Sequence, residues 1–179
     1  IKLINMIAYR EKIGNILAEG VRTAAEKIGG ESWKWAIQVK GLEQSRTETR
    51  GAYSYALAFA VNPRGPDYLH TECMAEFGES PEAIQVIKKI TGDERYAVPD
   101  SIDKRAEIVR WHEDIYAVSD ALGLCTFTTT ATYGIDEEKS ANLFQYATGI
   151  EMNAQQIMET GRRILTLERC FNIREGLTR

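Results

Sequence analysis

The hydrophobic positions of this chain repeat mostly at helical spacing. Ile1, Ile4, Ile7 and Ala8 open the pattern over residues 1–9. After Gly14, one face carries Leu17, Val21, Ala24 and Ile28, and Gly29-Gly30 ends it. The period then changes to two. Trp33, Trp35, Ile37 and Val39 alternate with Lys34, Ala36, Gln38 and Lys40, which predicts a half-buried strand or hairpin over 33–40. KGLE at 40–43 and a polar, irregular stretch follow as far as Arg50.

Helical signals resume with AYSYALAFAV at 52–61, small and apolar nearly all round, the pattern of a buried helix. Pro63 and Pro66 stop it and hold RGPD extended. Ser80-Pro81-Glu82 reads as an N-cap, a proline at the first helical position and an acid in the first turn, opening a helix that closes at Gly92. From about 101, Ile108, Trp111, Ile115, Val118 and Leu122 advance in steps of 3, 4, 3 and 4, and Gly123 is placed to end that helix in a left-handed turn. Asp136-Glu137-Glu138 starts another helix, running to Gly149, and Asn153 with Gln156 forms a capping box for the last one, which uses Ile157, Gly161, Ile164 and Leu167. The fold class expected is all-α, multihelical, with one short strand or hairpin near 33–40.

Composition narrows the function classes. The 179 residues are 44% hydrophobic and 27% charged, ordinary for a globular chain. A net charge of −4 gives no basic excess for nucleic acid, so no nucleic-acid partner is expected. No apolar run reaches the ~18 residues of a membrane span. Three widely spaced cysteines, Cys73, Cys125 and Cys170, make neither a disulfide framework nor a metal knuckle, and a reducing, cytoplasmic setting is the simplest expectation. The chain starts at Ile1, without Met and already inside an apolar-periodic segment, and reads as a piece of a longer polypeptide.

Two segments carry candidate chemistry. In DALGLCTF, at 120–127, Asp120 ends a long helix and Cys125 follows its glycine stop. Past such a stop the N–H groups of Leu124 and Cys125 are released from the helix ladder and are expected to point outward. A carboxylate there can take two parallel hydrogen bonds from a guanidine-like edge, and a thiolate can ligate iron. Such groups suit a pterin beside an iron–sulfur centre. They equally suit a capped helix with an exposed acid and a small buried cysteine. The second segment, NPRGPDYLHTE at 62–72, packs Arg, Asp, Tyr, His and Glu into a proline-stiffened loop, where His70 is a candidate for proton transfer; the alternative is a solvated loop with Arg64 and Asp67 paired locally. His112, offset from the apolar stripe, is expected at the surface or in a second layer, and Cys73 and Cys170 are expected to be packing residues. The arginines and aromatics of RRILTLERCFNIREG form a solvated face or an interface.

Taken in order, LAEGVRTAAEKIG, VKGLE, AFAVNPRGPDYL, EDIYAVSDALGLCTF, ATGIEM and GRRILTLERCFNIREG resemble the C-terminal helical region of the tungsten-dependent aldehyde ferredoxin oxidoreductases, over nearly the whole chain. That family implies a β-rich N-terminal cofactor domain and two helical domains enclosing tungsten on two pterins, beside a [4Fe-4S] cluster. The resemblance makes Cys125 the fourth cluster ligand, with three cysteines from a CxxCxxxC segment elsewhere in the parent chain. Asp120 becomes a pterin hydrogen-bonder, with Gly123 and the Leu124 backbone beside it. It also implies an aldehyde substrate, ferredoxin as partner, the N-terminal portion of the same polypeptide, and room for a homodimer. One departure stands out. The family's RGxxH histidine is replaced by Tyr68, and His70 follows two residues later, so either could act near the metal. The competing expectations are a tungsten-dependent reductase of another substrate, such as an aromatic acyl-CoA, and a non-catalytic helical module.

Overall fold

The computed structural model describes residues 1–177. Eight α-helices are found there: α1 (Lys2–Ala8), α2 (Ile13–Leu17), α3 (Val21–Ile28), α4 (Tyr53–Val61), α5 (Pro81–Thr91), α6 (Arg105–Ala121), α7 (Glu137–Thr148) and α8 (Ala154–Arg174). The expected helical architecture is what folds. The one sheet among the described residues is a hairpin, β1 (Gln38–Val39) and β2 (Leu42–Glu43), paired antiparallel with Val39 opposite Leu42. Its two-residue loop, Lys40-Gly41, has φ of 56° and 89°. Two positive φ values in succession match the right-handed twist of a tight hairpin.

The strand predicted over 33–40 is therefore mostly not a strand. Ser32–Trp35 coils into a 3-10 turn, and Trp33 and Trp35 are 68% and 84% exposed. Alternation predicts a strand where a partner strand exists, and here the partner is two residues long. Two further boundaries moved. The run from Gly14 to Ile28 is interrupted at Gly20 (φ 86°), so α2 and α3 are separate helices. The long helix starts at Arg105 rather than near 101, because Lys104 takes a left-handed φ of 65° after a turn in which the Ser101 hydroxyl accepts from Asp103 N. α4 is buried on one side through Tyr55, Ala58 and Phe59, while Tyr53 and Val61 are exposed.

α6 is the centre of the molecule. It packs on α4 and α5 and, most extensively, on α8. Every residue from His112 to Ser119 is buried. A single apolar stripe cannot describe a helix covered on several sides, and this explains the correction at His112. Its ring is wholly buried, with Nδ1 donating to the Ile108 carbonyl at 2.7 Å and Nε2 accepting from the Tyr133 hydroxyl at 3.0 Å. Burial lowers its pKa to about 4.

The acids of α6 are matched across the helix pair. Arg169 donates to both oxygens of Glu113 at 2.8 and 2.9 Å, and Arg162 reaches Asp114 at 2.9 Å. The crossing is closest at Gly161, where an added Cβ would lie 2.1 Å from the Asp114 carbonyl oxygen. At the start of α6, buried Arg105 meets buried Glu76 at 3.3 Å and also donates to the carbonyls of Ser101, Tyr96 and Val98. One cation thus binds together the loop before α6 and the turn before α5. Cys73 is a packing residue at 0% exposed, as expected, whereas Cys170 is exposed on α8. No helix of the described residues is long and apolar enough to cross a membrane.

Candidate functional site

The loop after α4 is fixed before any ligand is considered. Wholly buried Asn62 accepts from Arg64 N at 2.8 Å and donates to the Asp67 carbonyl at 3.3 Å. Asn172 of α8 donates to the Pro63 carbonyl at 2.7 Å. Arg64 pairs with Asp67, the local pair of the solvated-loop alternative, although Asn62 and His70 of this loop are buried. Asp67 also caps the 3-10 turn Tyr68–His70, accepting from Leu69 N at 2.8 Å. These bonds leave His70 little freedom, and it is 7% exposed.

His70 stands between two carboxylates. Its Nε2 lies 3.1 Å from Glu168 Oε2 on α8. Its Nδ1 lies 3.7 Å from Asp120 Oδ2, at the end of α6, and makes no hydrogen bond although buried. A carboxylate accepts and does not donate, so in the neutral ring the Nε2 proton goes to Glu168 and Nδ1 keeps a lone pair. Burial raises the Asp120 carboxyl, while His70 and Arg64 pull it back down. A cavity of roughly 410 Å3 opens beside this group between Arg64, His70, Leu167, Glu168 and Phe171. Glu168 lies within GRRILTLERCFNIREG but was not singled out there as a site residue; it reaches His70 across 98 positions, and only the docking of α8 brings them together.

Tyr68 goes the other way. It packs against the core cluster of Tyr55, Ala58 and Phe59 and opens on a different cavity, with Glu72 and Phe127. One turn thus aims its two candidate side chains at separate spaces.

The end of α6 is a left-handed stop, as expected. Gly123 has φ 71°, and Leu124 N donates to the Ser119 carbonyl at 2.9 Å. The expectation that the Leu124 amide is free is therefore corrected: the turn itself consumes it. Among the described residues the Cys125 amide has no such partner. Cys125 carries a free, exposed thiol, unlike the small buried cysteine that was the alternative. No group of three or more His, Cys, Asp and Glu among the described residues is arranged to hold a metal. An exposed thiol at a helix exit is accessible to a metal or cluster whose other ligands come from elsewhere. The unpartnered Nδ1 and the half-exposed Asp120 fit a polar group lying against the same end of α6.

The family model described as "Aldehyde ferredoxin oxidoreductase, domains 2 & 3" matches residues 1–179. This chain belongs to the aldehyde ferredoxin oxidoreductase family. Among its relatives, the tungsten-containing aldehyde ferredoxin oxidoreductase of Pyrococcus horikoshii is 32% identical over 174 residues, covering 97% of this chain. The corresponding protein of Thermococcus kodakarensis is 30% identical over a span of the same length. This chain covers 26% of the length of each. An aliphatic sulfonate oxidoreductase WOR-like subunit of Pyrococcus furiosus is 33% identical over 90 residues, 47% of this chain. Family membership thus brings oxidoreductase relatives that differ in the substrate they are named for.

Proposed function

We propose that this chain forms the helical side of a tungsten–pterin, iron–sulfur site in a longer, cytoplasmic oxidoreductase that converts aldehydes to carboxylic acids and delivers the electrons to ferredoxin. The reaction balances as RCHO + H2O giving RCOOH, two protons and two electrons. The tungsten–bis-pterin, when bound, supplies the two-electron redox chemistry. Cys125 would be the fourth thiolate of a [4Fe-4S] cluster, its other three cysteines lying in the N-terminal portion of the same polypeptide. Asp120 would accept hydrogen bonds from a pterin's guanidine-like edge. Gly123 shapes the turn that lets the Leu124 carbonyl lie alongside.

The work left to this chain is positioning and proton handling. His70 is the better proton acceptor of the two candidates, because its Nδ1 is unpartnered and its far nitrogen is anchored by Glu168. The Tyr68 hydroxyl is a poor base at neutral pH and serves as a hydrogen-bond donor to an oxygen of the substrate. The RGxxH position itself thus holds a hydrogen-bond donor, while His70, on the same 3-10 turn, faces a separate cavity.

The observation that carries this reading is the free Cys125 thiol just beyond the α6 stop, in a chain matched by the family model over its whole length. The test uses the intact enzyme, prepared without oxygen. Aldehyde-dependent reduction of a one-electron dye, with a CxxCxxxC segment encoded upstream of Ile1, is the expected result. Tungsten-loaded enzyme that leaves every aldehyde untouched overturns it.

A further inference from the structure

A second cavity lies behind the same two turns. Tyr68, two residues before His70, and Phe127, two residues after Cys125, line it with Tyr55, Phe77, Glu72 and Glu79. It measures roughly 430 Å3, within the ~300–1,000 Å3 typical of small-molecule sites. Its floor belongs to the core. Tyr55 is 3% exposed, and its ring centroid lies 6.1 Å from that of Phe77. Tyr68 and Phe77 pack on that same cluster. The Glu72 carboxyl is held from below by the hydroxyl of wholly buried Tyr116, which donates to Oε2 at 3.1 Å. Phe127, 60% exposed, stands at the rim.

We propose that this cavity receives the carbon skeleton of the substrate and selects it by charge, admitting an uncharged aromatic group and turning away one that bears a carboxylate, phosphate or sulfonate. The proposal rests on the aldehyde-oxidising reading above and adds which aldehydes are taken. Four aromatic side chains offer faces and edges against which a ring packs with more than its area's worth of attraction. Among the described residues no lysine or arginine lines the cavity, and two glutamates do. An anion entering here leaves its hydration shell, meets like charge and finds no counter-ion, which is rejection by repulsion rather than by size. A sulfonate, the group for which one similar relative is named, is the wrong partner for such walls.

The experiment uses the intact, cofactor-loaded enzyme and two sets of probes. Benzamide and benzenesulfonate, neutral and anionic rings that do not react, are titrated calorimetrically. Benzaldehyde and 4-formylbenzoate are compared as substrates. Benzamide is expected to bind at least about tenfold more tightly than benzenesulfonate, and kcat/KM to favour benzaldehyde by a similar factor. The double variant Glu72→Gln, Glu79→Gln should narrow both ratios, and Phe127→Ala should weaken benzamide. In the Glu72→Gln change the side-chain amide oxygen still accepts from Tyr116, so the double variant keeps the floor intact. Equal handling of neutral and anionic probes by the wild-type enzyme overturns the proposal, even if aldehydes are oxidised. Retained discrimination between the two rings in an enzyme that oxidises no aldehyde upholds the selectivity and removes the aldehyde reading instead.

Discussion

His70 Nε2 lies 3.1 Å from Glu168 Oε2, joining the loop after α4 to α8. The ring is 7% exposed, so this bond fixes which nitrogen carries the proton and which keeps a lone pair. With Nε2 committed to a carboxylate, Nδ1 is the free acceptor, and it is the atom 3.7 Å from Asp120. Glu168 is thus a positioning residue, acting through His70.

Removing that anchor should be visible in turnover rather than in binding. Glu168→Ala is expected to lower kcat roughly tenfold, a small part of the ~10²–10⁴-fold worth of a placed acid or base, with KM little changed. Glu168→Gln should restore most of it, because the amide oxygen still accepts from Nε2. Steady-state kinetics of the three enzymes, alongside their melting temperatures, separates lost positioning from lost folding. Equal losses in both variants would contradict the assignment.

The buried His112 makes a second prediction, about pH. Its folded pKa of about 4 lies below the ordinary value of 6.5. Its stabilising contribution is therefore fully present above pH 6.5 and is lost as pH falls toward 4, because the unfolded chain binds a proton that the folded ring refuses. The slope from this one group approaches about 1.4 kcal/mol per pH unit in that window. Hydrogen exchange of the α6 amides, compared at pH 7 and pH 5, should show this loss. His112→Gln is expected to be less stable at pH 7 but to lose less on acidification.

Two glycines should respond in opposite proportion to their motif strength. Gly123 is a sequence-visible helix stop, yet a Cβ there meets nothing within 4 Å. Gly123→Ala should cost only the left-handed backbone strain, about 1 kcal/mol. Gly161 sits mid-helix with ordinary backbone, but its Cβ would strike the Asp114 carbonyl at 2.1 Å. Gly161→Ala should cost several times more, since two backbones must separate. Thermal melts of the two variants check the order.

Several helices were legible because their signals are local. The Ser80 and Asn153 caps, Pro81, and the stops at Gly92, Gly123 and Gly149 fall at the positions their residue types predict. What escaped was set by long-range packing. The alternation of Trp33 and Trp35 suggested a strand, and no partner strand exists there among the described residues to make it one. A period of 3.6 finds one buried face, whereas α6 is covered by α4, α5 and α8, which buries His112 away from the apolar stripe. At the site, His70, Asp120 and Cys125 stood out by residue type. Glu168 did not, since a glutamate on a charged helix looks solvated until α8 docks. The opposite directions taken by Tyr68 and His70 were likewise invisible, because direction within a 3-10 turn depends on which core the turn lies against.

The most direct test of the central claim is iron. The intact enzyme, purified without oxygen, should contain tungsten and about four iron atoms per chain. Cys125→Ala should retain its helical content while losing most of that iron or converting the cluster to a three-iron form with an altered electron paramagnetic resonance signal. An unchanged iron content and spectrum in Cys125→Ala would contradict the account, and return Cys125 to the role of an exposed thiol at the end of a helix.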